Sequence, residues 1–270
     1  MLKQATRTLA IMAFTTLMGC SNAIMPTAPP DLDATHLALH HTPNTQVLTS
    51  NLLLAYQEQQ AIRFTQSGST YLSTLEQLGS SIKPYAIASY LPHESDLWAV
   101  PIAQDGLAIV LHPDNPLHAL TAEQLRRVYR GFITNWHELG GADQPIRLYA
   151  PEATSEMHLI FEELVMGQQR LSPNTQVLPD NDSILQKVSQ EVGAISYLPL
   201  TQLTEAVRAI SLDSVEPTRQ AVRESRYALR YTIYFIAPQE PEDPYKDFIA
   251  WAQSDAGQAI VAQGAIPLLD

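Results

Sequence analysis

The sequence has little cysteine, little positive charge and no long apolar run. Cys20 is the only cysteine among 270 residues, so an intramolecular disulfide is excluded. Sixteen Lys and Arg face 28 Asp and Glu, and the resulting formal net charge of -12 argues against nucleic acid as a partner. The longest apolar run, residues 9–18, is far shorter than the roughly 20 residues that a membrane-spanning helix requires. We therefore expect a soluble domain with any membrane contact outside it.

Several catalytic motifs are also absent from the sequence. It contains no HExxH zinc motif and no GxxxxGK[ST] phosphate loop, and Ser67-Gly68-Ser69 lacks the spacing of a nucleophile elbow. His40 and His41 lie on a predicted strand, where adjacent side chains point to opposite faces and cannot easily share one metal ion. We expect neither an enzyme nor a bound cofactor or metal.

The N-terminal residues have the layout of an export signal. Lys3 and Arg7 precede the mostly apolar residues 9–18, as in a secretory signal peptide. The run ends in Leu17-Met18-Gly19-Cys20, which resembles the bacterial lipobox. We predict a signal peptide at residues 1–19, a lipidated Cys20, and a flexible proline-containing tether within residues 20–35. The alternative is an incidental cysteine in a discarded leader.

Strand-like and helix-like segments alternate along the rest of the chain. Residues 106–111 form a continuous apolar run bounded by turn residues, as in a strand that is buried on both faces. Strands are predicted at residues 37–41, 62–64, 85–88, 106–111, 146–149, 194–198 and 231–237. The alternation predicts an α/β fold.

Apolar residues at helical spacing predict the helices between these strands. Thr121 and Gln124 have the spacing of a capping box, and Ser69 is a plausible N-cap for an earlier helix. The residues after Thr121 that share one helical face are Leu125, Val128, Tyr129 and Phe132. A helix is therefore expected from Thr121 to about Phe132.

Residues 105–146 carry a dense set of short motifs in a fixed order. They are Asp105-Gly106-Leu107-Ala108, Pro113-Asp114-Asn115-Pro116, Leu120-Thr121, Glu123-Gln124-Leu125, Gly131, Asn135-Trp136, Leu139-Gly140-Gly141 and Pro145-Ile146. In this order they resemble the phosphate-type solute-binding proteins of ABC transporters. A weaker similarity extends from about residue 36 to residue 270 and includes Gly193-Ala194-Ile195 and Ser254-Asp255-Ala256-Gly257-Gln258.

The resemblance implies a two-lobed α/β fold of the type II periplasmic-binding-protein class, with the ligand cleft between the lobes. Lobe 1 would be discontinuous and would comprise residues 36–111 and 211–270. Lobe 2 would comprise residues 112–210. The chain would cross to the second lobe near residue 112 and return near residue 210.

The resemblance also implies a ligand site built from loops that precede helices. Helix N-termini offer unpaired backbone N–H groups, and serine and threonine hydroxyls supplement them. The candidate ligand-binding residues are Thr42, Asn44, Thr45, Ser67, Gly68, Ser69, Ser89, Thr154, Ser155 and His158. The alternative is that these residues are ordinary helix caps, because Ser, Thr and Asn favour such positions in any α/β protein.

One loop departs from the pattern of the phosphate-binding relatives. They usually have serine, glycine, threonine and then arginine or another polar residue, whereas this chain has Ser155-Glu156-Met157-His158. Glycine lets a backbone approach an oxyanion and arginine binds it bidentately, and both are missing here. Glu156 adds a carboxylate that opposes a bound anion. His158 could replace the arginine as a cation when it is protonated, or could be a helix-surface histidine with no ligand role.

The expected function is that of a lipid-anchored, extracytoplasmic solute-binding protein. A monomer would capture a small polar ligand, phosphate or a similar oxyanion in the family, and deliver it to an ABC permease by hinge closure. The alternative is a tethered sensor or assembly module with the same fold that has lost transport or oxyanion binding. A metal at His36, His40, Glu152 and Glu156 would require these residues to converge, which their spacing does not demand.

Overall fold

Strands and helices alternate along the chain, as the apolar pattern predicts. The computed structural model describes residues 35–80 and 85–268, so the predicted signal peptide and Cys20 lie outside the described residues. The strands are β1 (Thr35–His41), β2 (Ile62–Gly68), β3 (Ala86–Ala88), β4 (Trp98–Leu111), β5 (Ala119–Leu120), β6 (Arg147–Pro151), β7 (Gln176–Leu178), β8 (Ala194–Pro199), β9 (Arg208–Ala209), β10 (Ser211–Leu212) and β11 (Arg230–Ala237).

Helices connect most of these strands. They are α1 (Gln46–Gln57), α2 (Tyr71–Ser80), α3 (Ala122–Tyr129), α4 (Glu156–Phe161), α5 (Asn181–Gln190), α6 (Arg219–Arg223), α7 (Tyr245–Gln253) and α8 (Asp255–Val261). A π-helical turn, Glu162–Met166, continues α4. Within residues 35–80 and 85–268, no helix combines the length and apolar character needed to cross a bilayer.

Nine of the strands form one mixed sheet. Its order is β2-β1-β3-β11-β4-β8-β6-β7, with β9 paired to β4, while β5 and β10 pair separately. β1 is parallel to β2 and β3, and β6 is parallel to β7 and β8, whereas β4 and β11 are antiparallel to their neighbours. The parallel strands at the two sides of the sheet are connected through helices, as an α/β fold requires.

Strand β4 joins two hydrophobic clusters. Its first part pairs with β11 from Trp98 to Gly106, and its last part pairs with β8 from Leu107 to Leu111. Ile102 and Ala103 pack in a cluster with α1, α7 and α8, whereas Leu107, Ile109 and Leu111 pack in a larger cluster with α3 and α4. The strand therefore runs from one core into the next. The lobe boundaries near residues 112 and 210 remain a prediction.

The helix that follows Thr121 is shorter than its sequence pattern suggests. α3 ends at Tyr129, and the side chain of Phe132 is 57% exposed. Gly131 has a φ of +75°, which is compatible with glycine but not with a continuing right-handed helix. The expectation that Phe132 belongs to the buried helical face was wrong, because the chain turns before that residue.

Candidate functional site

A cavity of about 270 Å³ lies at the carboxyl ends of several parallel strands. The segments that line it follow β1, β2, β6 and β7 and precede α1, α2, α4 and α5. Its lining residues are Pro43, Asn44, Thr70, Tyr71, Pro151, Glu152, Thr154, Ser155, Glu156, Met157, Pro179, Asp180, Asn181, Asp182 and Gln202. Ligands of open α/β sheets bind at this edge, because loops and helix N-termini meet there. Of the predicted ligand-binding residues, Asn44, Thr154 and Ser155 line the cavity.

The turn after β1 is fixed by two buried threonines. Thr42 is the N-cap of the 3₁₀ turn Pro43–Thr45, and its N–H donates to Thr45 Oγ1 at 3.2 Å. The Thr45 hydroxyl donates to the carbonyl of Ile87 at 2.8 Å. Neither threonine lines the cavity, but together they hold the intervening Asn44 at its edge.

The Glu156 carboxylate is surrounded by hydrogen-bond donors from distant parts of the chain. Oε2 accepts from the Asn44 side-chain amide at 3.1 Å, and Oε1 accepts from the Ser89 backbone N–H at 2.6 Å. The Thr42 hydroxyl adds a further hydrogen bond. The residue is only 1% exposed. Ser89 and Thr42, two of the predicted ligand contacts, therefore face the protein's own carboxylate.

Burial and hydrogen bonding act on Glu156 in opposite directions. Burial raises the pKa of Glu156, because the charged carboxylate loses its hydration. Hydrogen bonds from Thr42, Ser89 and Asn44 oppose this rise by stabilising the charged form. These stabilising groups are all uncharged. The Ser89 hydroxyl also stabilises the charged carboxylate, although it is buried and its geometry falls short of a regular hydrogen bond.

Asn44 also connects the turn after β1 to two further segments that line the cavity. Its Oδ1 accepts from the Asn181 side-chain amide at 3.0 Å, and the same amide donates to Gln202 Oε1 at 2.8 Å. Gln202 in turn reaches the Asn44 carbonyl at 3.5 Å. Asn44 thus joins residues that lie 112, 137 and 158 positions later in the sequence.

The cavity is rich in hydrogen-bond acceptors and negative charge. Besides Glu156, its lining includes Glu152, Asp180 and Asp182, and none of the described lining residues is Lys, Arg or His. Asp180 caps α5, and hydrogen bonds from the Ser183 side chain and N–H hold the pKa of Asp180 below its ordinary value. The local field therefore opposes the entry of an oxyanion.

The second predicted loop, at the end of β2, makes its contacts outside the cavity. The Ser67 hydroxyl lies 2.7 Å from His40 Nδ1, and the Ser69 hydroxyl lies 2.8 Å from the hydroxyl of Thr74. Gly68 packs beside the His41 ring. The N-cap contact of α2 is made by Thr70, whose hydroxyl accepts from Ser73 N–H at 3.4 Å, one residue later than expected.

His158 is occupied by contacts within its own segment. Its Nδ1 lies 3.3 Å from the Pro151 carbonyl, and its Nε2 lies 3.3 Å from Glu162 Oε1. Its backbone N–H donates to the Ser155 hydroxyl, which caps α4. His158 is buried and does not line the cavity. Among the described residues, no group of three His, Cys, Asp or Glu side chains is arranged as a metal site.

A second buried carboxylate, that of Asp105, lies in β4 next to the point where the pairing of this strand changes from β11 to β8. Asp105 Oδ1 accepts from Gly106 N–H at 2.7 Å, and Oδ2 accepts from the Thr201 hydroxyl. Burial raises the pKa of Asp105 to about 6, against the lowering effect of these hydrogen bonds. The Tyr231 hydroxyl bonds to Asp105, and burial together with the charges of Asp105 and Glu156 raises the pKa of Tyr231.

The α5 contribution to the cavity was not anticipated from the sequence. Asn181 and Asp182 begin this helix, which carries only Ile184 and Val188 as buried residues. A signal was present in Asp180 and Ser183, since a helix often starts at an Asp whose side chain accepts from the N–H three residues later. The observed hydrogen bond is 2.8 Å long.

These features match the type II periplasmic-binding-protein fold. The chain belongs to the PBP superfamily, because residues 61–256 match the PBP superfamily domain. The phosphate-binding protein PstS of Pseudomonas aeruginosa is 30% identical over 193 residues, covering 63% of this chain and 60% of that protein. The chain thus spans about three fifths of the length of this curated relative.

Two solved structures extend the similarity to nearly the whole chain. A Clostridium perfringens protein, assigned as a phosphate ABC transporter substrate-binding protein and solved with bound phosphate, has a TM-score of 0.78 and 26% identity. The match covers 87% of this chain and 100% of that one. An ABC-type phosphate transport receptor from Vibrio cholerae has a TM-score of 0.71 and 25% identity, and the match covers 84% and 98%. The predicted fold class and family are therefore confirmed.

Proposed function

We propose that this chain is an extracytoplasmic solute-binding protein that captures a small polar ligand in the cavity and presents it to an ABC permease. The protein binds its ligand without chemical reaction, by closure of the predicted lobes, residues 36–111 with 211–270 and residues 112–210. The observation that carries the proposal is the cavity at the carboxyl ends of the parallel strands, whose lining includes acidic, amide and hydroxyl side chains. Membership of the PBP superfamily and similarity to phosphate-transport receptors support it.

The lining of the cavity favours a ligand that brings hydrogen-bond donors. The relatives are phosphate-binding proteins. Here the carboxylates of Glu152, Asp180 and Asp182 supply acceptors, and the hydroxyls of Thr154 and Ser155 supply both donors and acceptors. A neutral or cationic polar molecule matches this set better than a multiply charged oxyanion does.

Calorimetric titration of the purified chain tests this function. The panel comprises phosphate, sulfate, molybdate, tungstate, small organic acids, amino acids and polyamines. We expect a saturable heat from a donor-bearing member of the panel, and we expect Asp182→Asn to weaken it while the exposed control Asp114→Asn leaves it unchanged. Absence of any response across the panel would contradict ligand capture.

We further propose that Cys20 carries a lipid and anchors the domain next to its permease. Diacylglycerol supplies two acyl chains, which are sufficient for stable membrane attachment. Cys20→Ala is therefore expected to shift the protein from the membrane fraction to the soluble fraction, with acylated N-terminal peptide detected by mass spectrometry only in the wild type. An unprocessed leader in the membrane-bound protein would contradict the anchor.

A tethered sensor or assembly module is the second candidate. The hydrogen bonds of Asn44 to Glu156 and Asn181 favour it, because they close the cavity region with the protein's own side chains. Such a protein would interact with a signalling or assembly partner and would give no heat with the ligand panel. Deletion of the neighbouring permease gene, where the genome has one, would then leave the signalling or assembly function of this protein unchanged.

A further inference from the structure

The Glu156 carboxylate is held in the way that proteins hold a bound anion. A side-chain amide from Asn44, a backbone N–H from Ser89 and the Thr42 hydroxyl all donate to it. The Ser89 hydroxyl, which belongs to a residue 2% exposed, stabilises the same carboxylate from a position just outside regular hydrogen-bond geometry. Convergent neutral donors in a buried place are the typical means of binding an oxyanion.

The segments that carry these donors are held by hydrogen bonds that do not involve Glu156. The turn that carries Thr42 and Asn44 is fixed by hydrogen bonds from Thr42 N–H and the Thr45 hydroxyl to the carbonyl of Ile87. Ser89 directly follows β3, which is paired with β1 and β11. Donors and acceptor are separated by 67 and 112 positions in the sequence. α4 therefore brings the carboxylate to donors whose own segments are held by other bonds.

We propose that this place is an oxyanion site whose occupant is the chain's own Glu156 carboxylate, which excludes free inorganic phosphate. The inference rests on the proposed solute-binding function and deepens it by naming a ligand class that the wild-type site rejects. Glu156 and Asn44 both line the cavity, so the occupied site forms part of its wall. The solute that the cavity takes lies beside Glu156 and does not replace it.

Charge and space both account for the exclusion. The carboxylate oxygens already accept the hydrogen bonds that a phosphate oxygen would need. A phosphate placed next to them would lie within contact distance of a like charge, and repulsion at such distances is strong where water is scarce. Glu152 and Asp180 on the cavity wall add to this repulsion.

Chemical rescue of Glu156→Ala tests the proposal. The substitution removes a CH₂–COO⁻ fragment, which acetate matches in shape and charge. It leaves the Asn44 amide and the Ser89 N–H without this acceptor, while the Thr42 hydroxyl keeps its contact with the Thr45 hydroxyl. We expect a lower melting temperature for the variant and a saturable rise in that temperature with acetate, formate or inorganic phosphate. Acetamide and sodium chloride at equal ionic strength should give no such rise. Phosphate should also give a calorimetric heat with Glu156→Ala and none with the wild type.

Matched variants separate site occupancy from general changes in charge. Glu152→Ala removes an exposed acid of the same cavity, and it should gain no response to acetate. Glu156→Gln fills the site with a neutral group of the same shape, and it should not respond either. Adding Asn44→Ala to Glu156→Ala should weaken the acetate response by removing one donor. Equal responses of Glu156→Ala to acetate and acetamide would overturn the proposal.

Titration of the wild type with phosphate decides the matter if Glu156→Ala does not fold. One-to-one binding of phosphate by the wild type would overturn the inference, while it would support the solute-binding function. Failure of every panel compound to bind the wild type would contradict that function. Rescue by acetate would still identify the oxyanion site, because the rescue needs only the pocket and no transport.

Discussion

Replacing Phe161 with alanine is expected to lower the free energy of unfolding by about 3–5 kcal/mol. Phe161 is fully buried at the end of α4. Its ring stacks on Tyr197 with a centroid distance of 4.0 Å, and it meets Tyr129 edge to face at 4.7 Å. The loss combines the removed apolar contacts with the cavity left behind. Urea denaturation of the variant and the wild type in parallel measures it.

Phe132→Ala provides the matched control. The same atoms are removed, but the Phe132 ring is 57% exposed and its described ring contact is with the Arg130 guanidinium, 4.3 Å from its centroid. A cost below about 1 kcal/mol is expected. Similar losses in the two variants would show that the aromatic cluster around Phe161 does not stabilise the fold as its packing indicates.

Replacing Asp105 with asparagine is expected to remove much of the loss of stability that the folded protein suffers as the pH rises through about 6. Asp105 is 3% exposed, and its pKa is raised from 3.8 to about 6. Because the folded protein holds this proton more tightly than the unfolded chain does, the stabilisation is present below about pH 4 and is lost as the pH rises through about 6. A shift of this size corresponds to about 3 kcal/mol.

Urea denaturation between pH 4 and pH 7 measures the Asp105 effect. The wild type should lose this stability across the window, and Asp105→Asn should lose about 3 kcal/mol less. Glu156 contributes a dependence of the same sign in both proteins, since burial also raises its pKa. Asp114→Asn, which neutralises an 83% exposed carboxylate side chain, is the control. Identical pH profiles of Asp105→Asn and the wild type would contradict the assignment.

Features that depend on neighbours in the sequence could be predicted from the sequence. The capping box at the start of α3 is present with both of its hydrogen bonds, Gln124 N–H to Thr121 Oγ1 at 3.1 Å and Thr121 N–H to Gln124 Oε1 at 2.8 Å. The continuous apolar run at residues 106–111 lies in β4, where all six residues are buried. In both cases residue types and short spacing determine the structure locally.

Features that depend on weak local signals were missed or misplaced. α5 carries only two buried residues, so its periodicity does not stand out, although its start supplies part of the cavity wall. The exposed position of Phe132 follows from the turn at Gly131, which the apolar spacing does not reveal. The hydrophobic pattern describes which residues seek burial, and it does not say where a backbone turns.

The sequence by itself determined the α/β alternation, the family resemblance and the presence of an acid where relatives have a glycine. It placed Glu156 at a helix start and indicated only that this carboxylate opposes an anion. The tertiary structure alone decided that Asn44 and Ser89 surround this carboxylate. The physical reason is that the donors lie on turns fixed by sheet pairing, 67 and 112 positions away, and spacing along a chain carries no information about such convergence.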